Sequence, residues 1–104
     1  MVDVSDGGDM GKEDRRRVVL DFMGEYPVAL RPAEIYRNLR YHRRITFSKE
    51  SVDNYIEEFV EEGLVLRVKP QSLEMGQIEE APPDQRAYYI ISEEGQEHLQ
   101  SENN

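Results

Sequence analysis

Six cationic side chains fall between residues 31 and 49: Arg31, Arg37, Arg40, Arg43, Arg44 and Lys49. Glu34 is the one acid among them, so this stretch carries +5 in a chain of net charge −9, and the remainder carries −14. An island of this sign in an acidic background is the electrostatic footprint of a phosphate-binding surface. The alternative is a solvated helix face, since surface arginines are common. A second run, Arg15 to Arg17, reads as structural. It is flanked by Glu13 and Asp14, which can pair with it, and positive charge at a helix start opposes the macrodipole.

Other chemistries lack the residues they need. The chain has two histidines, far apart, and no cysteine, so no transition-metal constellation and no disulfide are expected. No nucleophile elbow appears, and no carboxylate pair stands out from the general acidity. Gly7 to Lys12 resembles a phosphate loop only superficially: three residues separate Gly7 from Gly11 where four are required, and Glu13 stands where Ser or Thr would hold magnesium. The expectation is no enzyme, no cofactor and no metal, and no ligand pocket is evident. Tyr88, Tyr89 and Met23 read as packing residues, Met75 as exposed, and His98 as lacking a partner.

The elements that must carry the basic island can be read from periodicity. A first helix begins near Lys12 to Asp14 and runs to about Glu25, with Val18, Val19, Phe22, Met23 and Tyr26 on one face. Leu20 falls off that face, where it would meet the C-terminal helix or a partner subunit, or simply be exposed. Pro27 ends the helix, and Val28 to Leu30 suit a short edge strand. Pro32 suits the first turn of a second helix reaching about Arg40, with Ile35 and Leu39 inward. Ser48 is the N-cap of a third helix, and Phe47 and Val52 make a hydrophobic staple across it. Position 51 is serine, so no reciprocal capping box forms. Val52, Ile56, Phe59 and Val60 form its buried stripe with Tyr55 at the edge, and Gly63 is its C′ glycine. Leu64 to Lys69 and Arg86 to Ile91 read as strands, separated by a long turn, Pro70 to Gln85. Ser92 caps a short last helix, Glu93 to about Gln100, in which Gly95 is unfavourable.

The length of 104 residues suits one domain: a disordered tail over 1–12, a folded unit over 13–100, and a frayed 101–104. No apolar run approaches the roughly 20 residues of a membrane span. Met1 to Gly11 lacks the apolar segment of a signal peptide, and a reducing cytoplasm is the expected setting. Acids number 22 against 13 bases, and arginine outnumbers lysine ten to three. Acid excess with few lysines is similar to proteins of extreme halophiles; an ordinary acidic protein is the alternative. At molar salt the Debye length is about 3 Å, so overall acidity would not keep such a protein from DNA.

Two segments resemble the winged helix-turn-helix superfamily. Ser51 to Ile56 through Glu61-Glu62-Gly63-Leu64-Val65 is similar to a recognition helix running into the wing, and Tyr89-Ile90-Ile91-Ser92-Glu93-Glu94-Gly95 to the return from the wing into a last helix. The likeness covers roughly residues 14–99 and is nearest to the phage-repressor-like winged-helix regulators of halophilic archaea. It implies an α+β fold: a three-helix core, a small antiparallel sheet with a wing hairpin, and a short C-terminal helix. It also implies that the third helix enters the major groove and that the wing approaches the neighbouring backbone. Carried onto this chain, Lys49, Ser51, Asp53 and Asn54 face base edges, while Arg37, Arg40, His42, Arg43 and Arg44 line phosphates. Arg67 and Lys69, at the base of the wing, substitute for a wing loop that carries Glu74, Glu79, Glu80 and Asp84 and no base before Arg86.

The expected function is sequence-specific binding of double-stranded DNA by a repressor-like transcriptional regulator. The basic turn and the start of the third helix make the contact, and the wing tip serves another purpose such as subunit pairing. A homodimer is expected, with Leu20, the final helix or the wing as its surface. The rival is a winged-helix module that binds another protein and never touches DNA. Residues 50–64 favour the rival, holding six acids and no base.

Overall fold

The computed structural model describes residues 11–103, so most of the expected N-terminal tail, and Asn104, lie outside the described residues. The chain is a mixed α+β domain. Its order is α1 (Lys12–Glu25), α2 (Pro32–Asn38), a π-helical turn (Leu39–Arg43), α3 (Lys49–Glu61), β1 (Val65–Val68), α4 (Pro70–Glu74), β2 (Tyr88–Ile91) and α5 (Glu93–Asn103). None of these helices is long and apolar enough to cross a membrane.

Helix α1 has no side-chain cap at Gly11 and depends on packing instead. Val19, Phe22 and Met23 are buried as the periodicity predicts, but Tyr26 is 41 % exposed. Leu20 is inside, at 3 % exposure. Helix α5 packs along α1, and Leu20, Phe59 and Leu99 line one cleft between the elements. Of the fates open to Leu20, the C-terminal helix supplies the one observed, which removes it as a subunit surface.

Helix α2 starts at Pro32, and the Glu34 carboxylate accepts the Arg31 backbone N–H at 2.8 Å. Ile35 and Leu39 are fully buried. The α-helix stops at Asn38, short of the expected Arg40, and continues as the wider π turn. That turn ends at Arg44, which adopts the left-handed conformation at φ 54°. This conformation is uncommon for a residue with a Cβ.

Ser48 caps α3 as predicted, its Oγ accepting the Ser51 N–H at 3.1 Å. Val52, Tyr55, Ile56 and Phe59 form the buried stripe, while Val60 is only half-buried. Tyr55 and Val60 thus exchange their expected places, because the Phe47 ring packs 6.0 Å from that of Tyr55 and covers it. Gly63, at φ 81°, closes the helix with two backbone bonds, Gly63 N–H to Val60 O and Leu64 N–H to Phe59 O, at 3.1 and 2.9 Å. This is the Schellman arrangement that glycine alone adopts without strain.

Strands β1 and β2 pair antiparallel, Val65 opposite Ile91 and Val68 opposite Tyr88. The expected edge strand at Val28–Leu30 is reduced to one bridge, Leu30 to Tyr89, with bonds of 2.9 and 2.7 Å. Burial along β1 departs from strict alternation. Val65 joins the main core, whereas Val68 is buried with Ser72 and Ala81 outside the main cluster. The segment expected as a long turn therefore has structure of its own. It contains α4, and backbone bonds of 2.8 Å from Lys69 N–H to Glu79 O and from Ala81 N–H to Arg67 O prolong the ladder. Ser72 Oγ ties its base, donating to Lys69 O at 2.8 Å and accepting the Glu79 N–H at 3.3 Å.

Ser92 caps α5 through the Gly95 N–H at 3.0 Å, and its Oγ donates to Gly63 O at 2.7 Å. The helix runs to Asn103, beyond the expected end at Gln100. Gly95 has a steric reason to be there. A Cβ at that position would lie 2.2 Å from the Leu64 carbonyl oxygen and 2.6 Å from Ile91. The helix loses some propensity at Gly95, and in return its backbone lies directly on the start of β1.

Candidate nucleic-acid interface

Most cations of this acidic chain are held by carboxylates. On the α1 side, Arg16 meets Glu58 and Glu62 at 2.7 and 2.6 Å, Lys12 meets Glu58 at 3.1 Å, and Arg17 meets Glu102 at 3.2 Å. The Arg16 guanidinium also lies 4.7 Å over the Phe59 ring. Its hydrogen bond to Glu62 raises its pKa, and the Lys12 ammonium, with Arg16, holds the Glu58 carboxyl below its ordinary value. The expectation that this run is structural holds for Arg16 and Arg17, whose partners are Glu58, Glu62 and Glu102 rather than the adjacent acids; Arg15 has no carboxylate partner among the described residues and lies 5.8 Å from the Phe47 centroid.

The basic island divides. Arg37, Arg40 and Arg44 are exposed, and no carboxylate among the described residues lies within 4.0 Å of any of them. Arg37 and Arg40 share a face at helical spacing. Arg40 also lies over Tyr36, 5.8 Å from its centroid. Tyr41, the next residue in the chain, is 79 % exposed. Arg43 does not join this ledge. The π turn carries it back toward α1, where it pairs with Glu25 at 3.0 Å and lies 5.8 Å from the Phe22 centroid. That pairing lowers the Glu25 pKa. His42 is exposed and stacks on Tyr26 at 6.3 Å.

A second basic zone forms at the other end of α2. Arg31, Lys49 and Arg86 line one groove with Pro32, Ala33, Pro70, Gln85 and Tyr88, and no acid is among its lining residues. Three segments distant in sequence contribute these cations. Arg31 donates Nε to the Tyr88 hydroxyl at 3.0 Å, which raises its pKa, and its guanidinium lies 5.3 Å over that ring. Arg86 is exposed with no carboxylate partner among the described residues. Lys49 is tied to Asp53 one turn on, at 2.8 Å. The groove and the ledge are separated by the length of α2, about 10 Å at 1.5 Å per residue.

The remaining predicted residues fare unequally. Asn54 is exposed on α3, one turn from Glu50. Ser51 is half-buried and belongs to the cap, its Oγ accepting from Ser48 Oγ at 3.2 Å. Arg67 is unavailable for a phosphate. Its side chain is only 13 % exposed and is bound to Glu57, which also accepts the Tyr89 hydroxyl at 2.7 Å. Burial pulls the Arg67 pKa down, but bonds to Tyr89 and Glu57 outweigh it and leave it raised. Burial, reinforced by Glu57, raises that of Tyr89. Lys69 is loosely paired with Glu79 at 3.9 Å. His98, expected to lack a partner, has Glu102 one turn on at 3.3 Å. Among the described residues no group of three His, Asp or Glu side chains is placed to hold a metal ion.

Two cations of the groove, Arg31 and Arg86, are absent from the site that the sequence predicts. Arg31 belongs to the basic island and carried a signal. Arg86 is a lone base after an acidic stretch, and it is the bridge between Leu30 and Tyr89 that brings its segment beside Arg31. In comparisons with family models, with curated proteins and with solved structures, no match to this chain was found.

Proposed function

We propose that the chain is a winged helix-turn-helix protein that binds double-stranded DNA in a sequence-specific way and regulates transcription, most simply by occupying an operator. One observation carries this reading. Apart from Arg15, every guanidinium without a carboxylate partner among the described residues lies on α2, on the π turn that follows it or at that turn's end, or in the groove at the N-terminus of α2: Arg37, Arg40, Arg44, Arg31 and Arg86. In a chain of net charge −9, chance pairing would leave such groups anywhere. The hairpin that closes the groove and the first turn of α3 beside it suit the docking of a recognition helix and a wing. In this reading phosphates are held at both ends of α2, and Lys49 and Asn54 on α3 face the base edges. A high-salt cytoplasm is the proposed setting.

The test is selection of bound duplexes from a random pool in molar KCl, run in parallel with an R40E/R44E variant. Enrichment of a consensus by the native chain alone supports the proposal. Equal recovery by both proteins, or no enrichment, overturns it.

A second reading is favoured by a different feature. Met75 and Ile78, at 73 % and 51 % exposure, stand at the hairpin tip beside Glu74, Glu79 and Glu80. Apolar side chains ringed by acids suit a basic protein partner better than a phosphate backbone. Under that reading the scaffold is an interaction module, and binding is lost on changing Met75 and Ile78 rather than the arginines.

A further inference from the structure

Tyr26 and Val28 are among the few large apolar side chains that the fold leaves exposed. Both line a cavity of about 140 Å³, together with Phe22, Leu30, Asn38 and His42. The cavity reaches from the core to the surface. Phe22 belongs to the core and Leu30 packs against it, whereas Tyr26, Val28 and His42 are exposed. No motif announces it, because its lining comes from α1, the segment after it, α2 and the π turn.

Size and lining together select an occupant. An apolar cavity of about 150 Å³ holds one benzene ring. The walls here are largely aromatic. Phe22 and Tyr26 are tilted with centroids 5.0 Å apart, and the rings of Tyr26 and His42 lie within 29° of parallel at 6.3 Å. Two face contacts of about 3.5 Å need roughly 7 Å between the outer rings. His42 is exposed and is held by ring contacts with Tyr26 and Tyr41, so a slight swing of its imidazole admits a flat ring. Asn38 supplies an acceptor. Its Nδ2 donates to the Glu34 carbonyl at 2.8 Å, and its Oδ1 has no donor among the described residues. No carboxylate, lysine or arginine lines the cavity, which favours a neutral ligand over an ion.

We propose that this cavity binds a neutral, planar, single-ring molecule carrying one hydroxyl or amino donor. The ring lies between Tyr26 and His42, and the O–H or N–H donates to Asn38 Oδ1. Through His42 the bound ring ties the π turn to the end of α1. No arginine of the ledge lines the cavity, so the inference does not rest on the DNA reading.

Phenol is the probe. A ligand of so few atoms binds with a dissociation constant of about 1 mM. The experiment is titration of the full, isotopically labelled chain with phenol, followed by the backbone amide resonances in the absence of DNA. Saturable shifts are expected within residues 22–30 and 38–42, the segments that line the cavity. Toluene keeps the size and flatness of phenol but lacks the donor, and binds about fivefold more weakly. Cyclohexanol keeps the O–H but is not flat, and loses a similar factor. V28W fills the cavity from an exposed position and abolishes saturation. N38L preserves side-chain volume without the acceptor; it lowers phenol to the affinity of toluene and leaves toluene unchanged. Absence of saturable shifts overturns the proposal, as do shifts that V28W leaves in place. Toluene or cyclohexanol binding as tightly as phenol overturns it too. That comparison uses the native chain alone, so it decides the ligand class even if a variant fails to fold, which circular dichroism reports. Failure of the DNA selection bears on the function proposed above and leaves this inference standing.

Discussion

Consider replacing Arg37, Arg40 and Arg44 by alanine and measuring how binding of a labelled duplex depends on salt. Arg31, Arg37, Arg40, Arg44 and Arg86 are the guanidiniums that α2 and its groove leave without carboxylates. If each meets one phosphate, about five condensed cations are released on binding, and log K falls against log salt with a slope of about −4.5. A fourfold rise in salt, from about 50 to 200 mM, then weakens binding roughly 500-fold. The triple variant retains about two contacts, with a slope near −2 and roughly a tenfold loss over the same range. None of the three side chains is buried or paired with a carboxylate among the described residues, so the fold should tolerate the change. A K12A/R17A variant removes two positive charges that are paired with Glu58 and Glu102, and controls for most of the change in total charge. Fluorescence anisotropy reads both. An unchanged slope in the triple variant, or an equal drop in the control, would refute the argument that the α2 ledge is the phosphate surface.

Other consequences concern the fold that holds the ledge. Gly95→Ala should destabilise by at least about 2 kcal/mol, because its Cβ would lie 2.2 Å from a backbone oxygen and α5 would have to move off β1; chemical denaturation measures this. Glu57→Ala should cost about 2 kcal/mol in the same assay, since it strips partners from the nearly buried Arg67 and from the Tyr89 hydroxyl at once. Acid should loosen the α1–α3 contact. The Glu58 carboxyl is held below its ordinary 4.5 by Lys12 and Arg16, so its contribution is complete above that pH and is lost as pH falls through the depressed value. The melting temperature of Glu58→Gln should therefore vary less between about pH 3 and 6 than that of the native chain. Ser48→Ala should cost about 1 kcal/mol by removing the acceptor for the Ser51 N–H.

Local signals in the sequence determined the local structure. Pro32 at the start of α2, Ser48 and Ser92 as caps and Gly63 as a helix stop act within a few residues of themselves, so their roles are legible without a tertiary frame. The apolar periods of α1 and α3 and the strand pair at 65–68 and 88–91 were legible for the same reason. The charge asymmetry was legible too, since composition needs no geometry. What the tertiary structure alone decided was which side chains are available. Leu20 is covered because α5 crosses α1, and Tyr55 displaces Val60 because Phe47 lies over it. Arg43 and Arg67 are withdrawn because folding brings Glu25 and Glu57 to them from other elements, while Arg86 joins Arg31 across the sheet. A cation's charge is a property of its residue type. Whether that charge meets solvent or a carboxylate depends on contacts between segments far apart in the chain, and those exist only once the chain has folded.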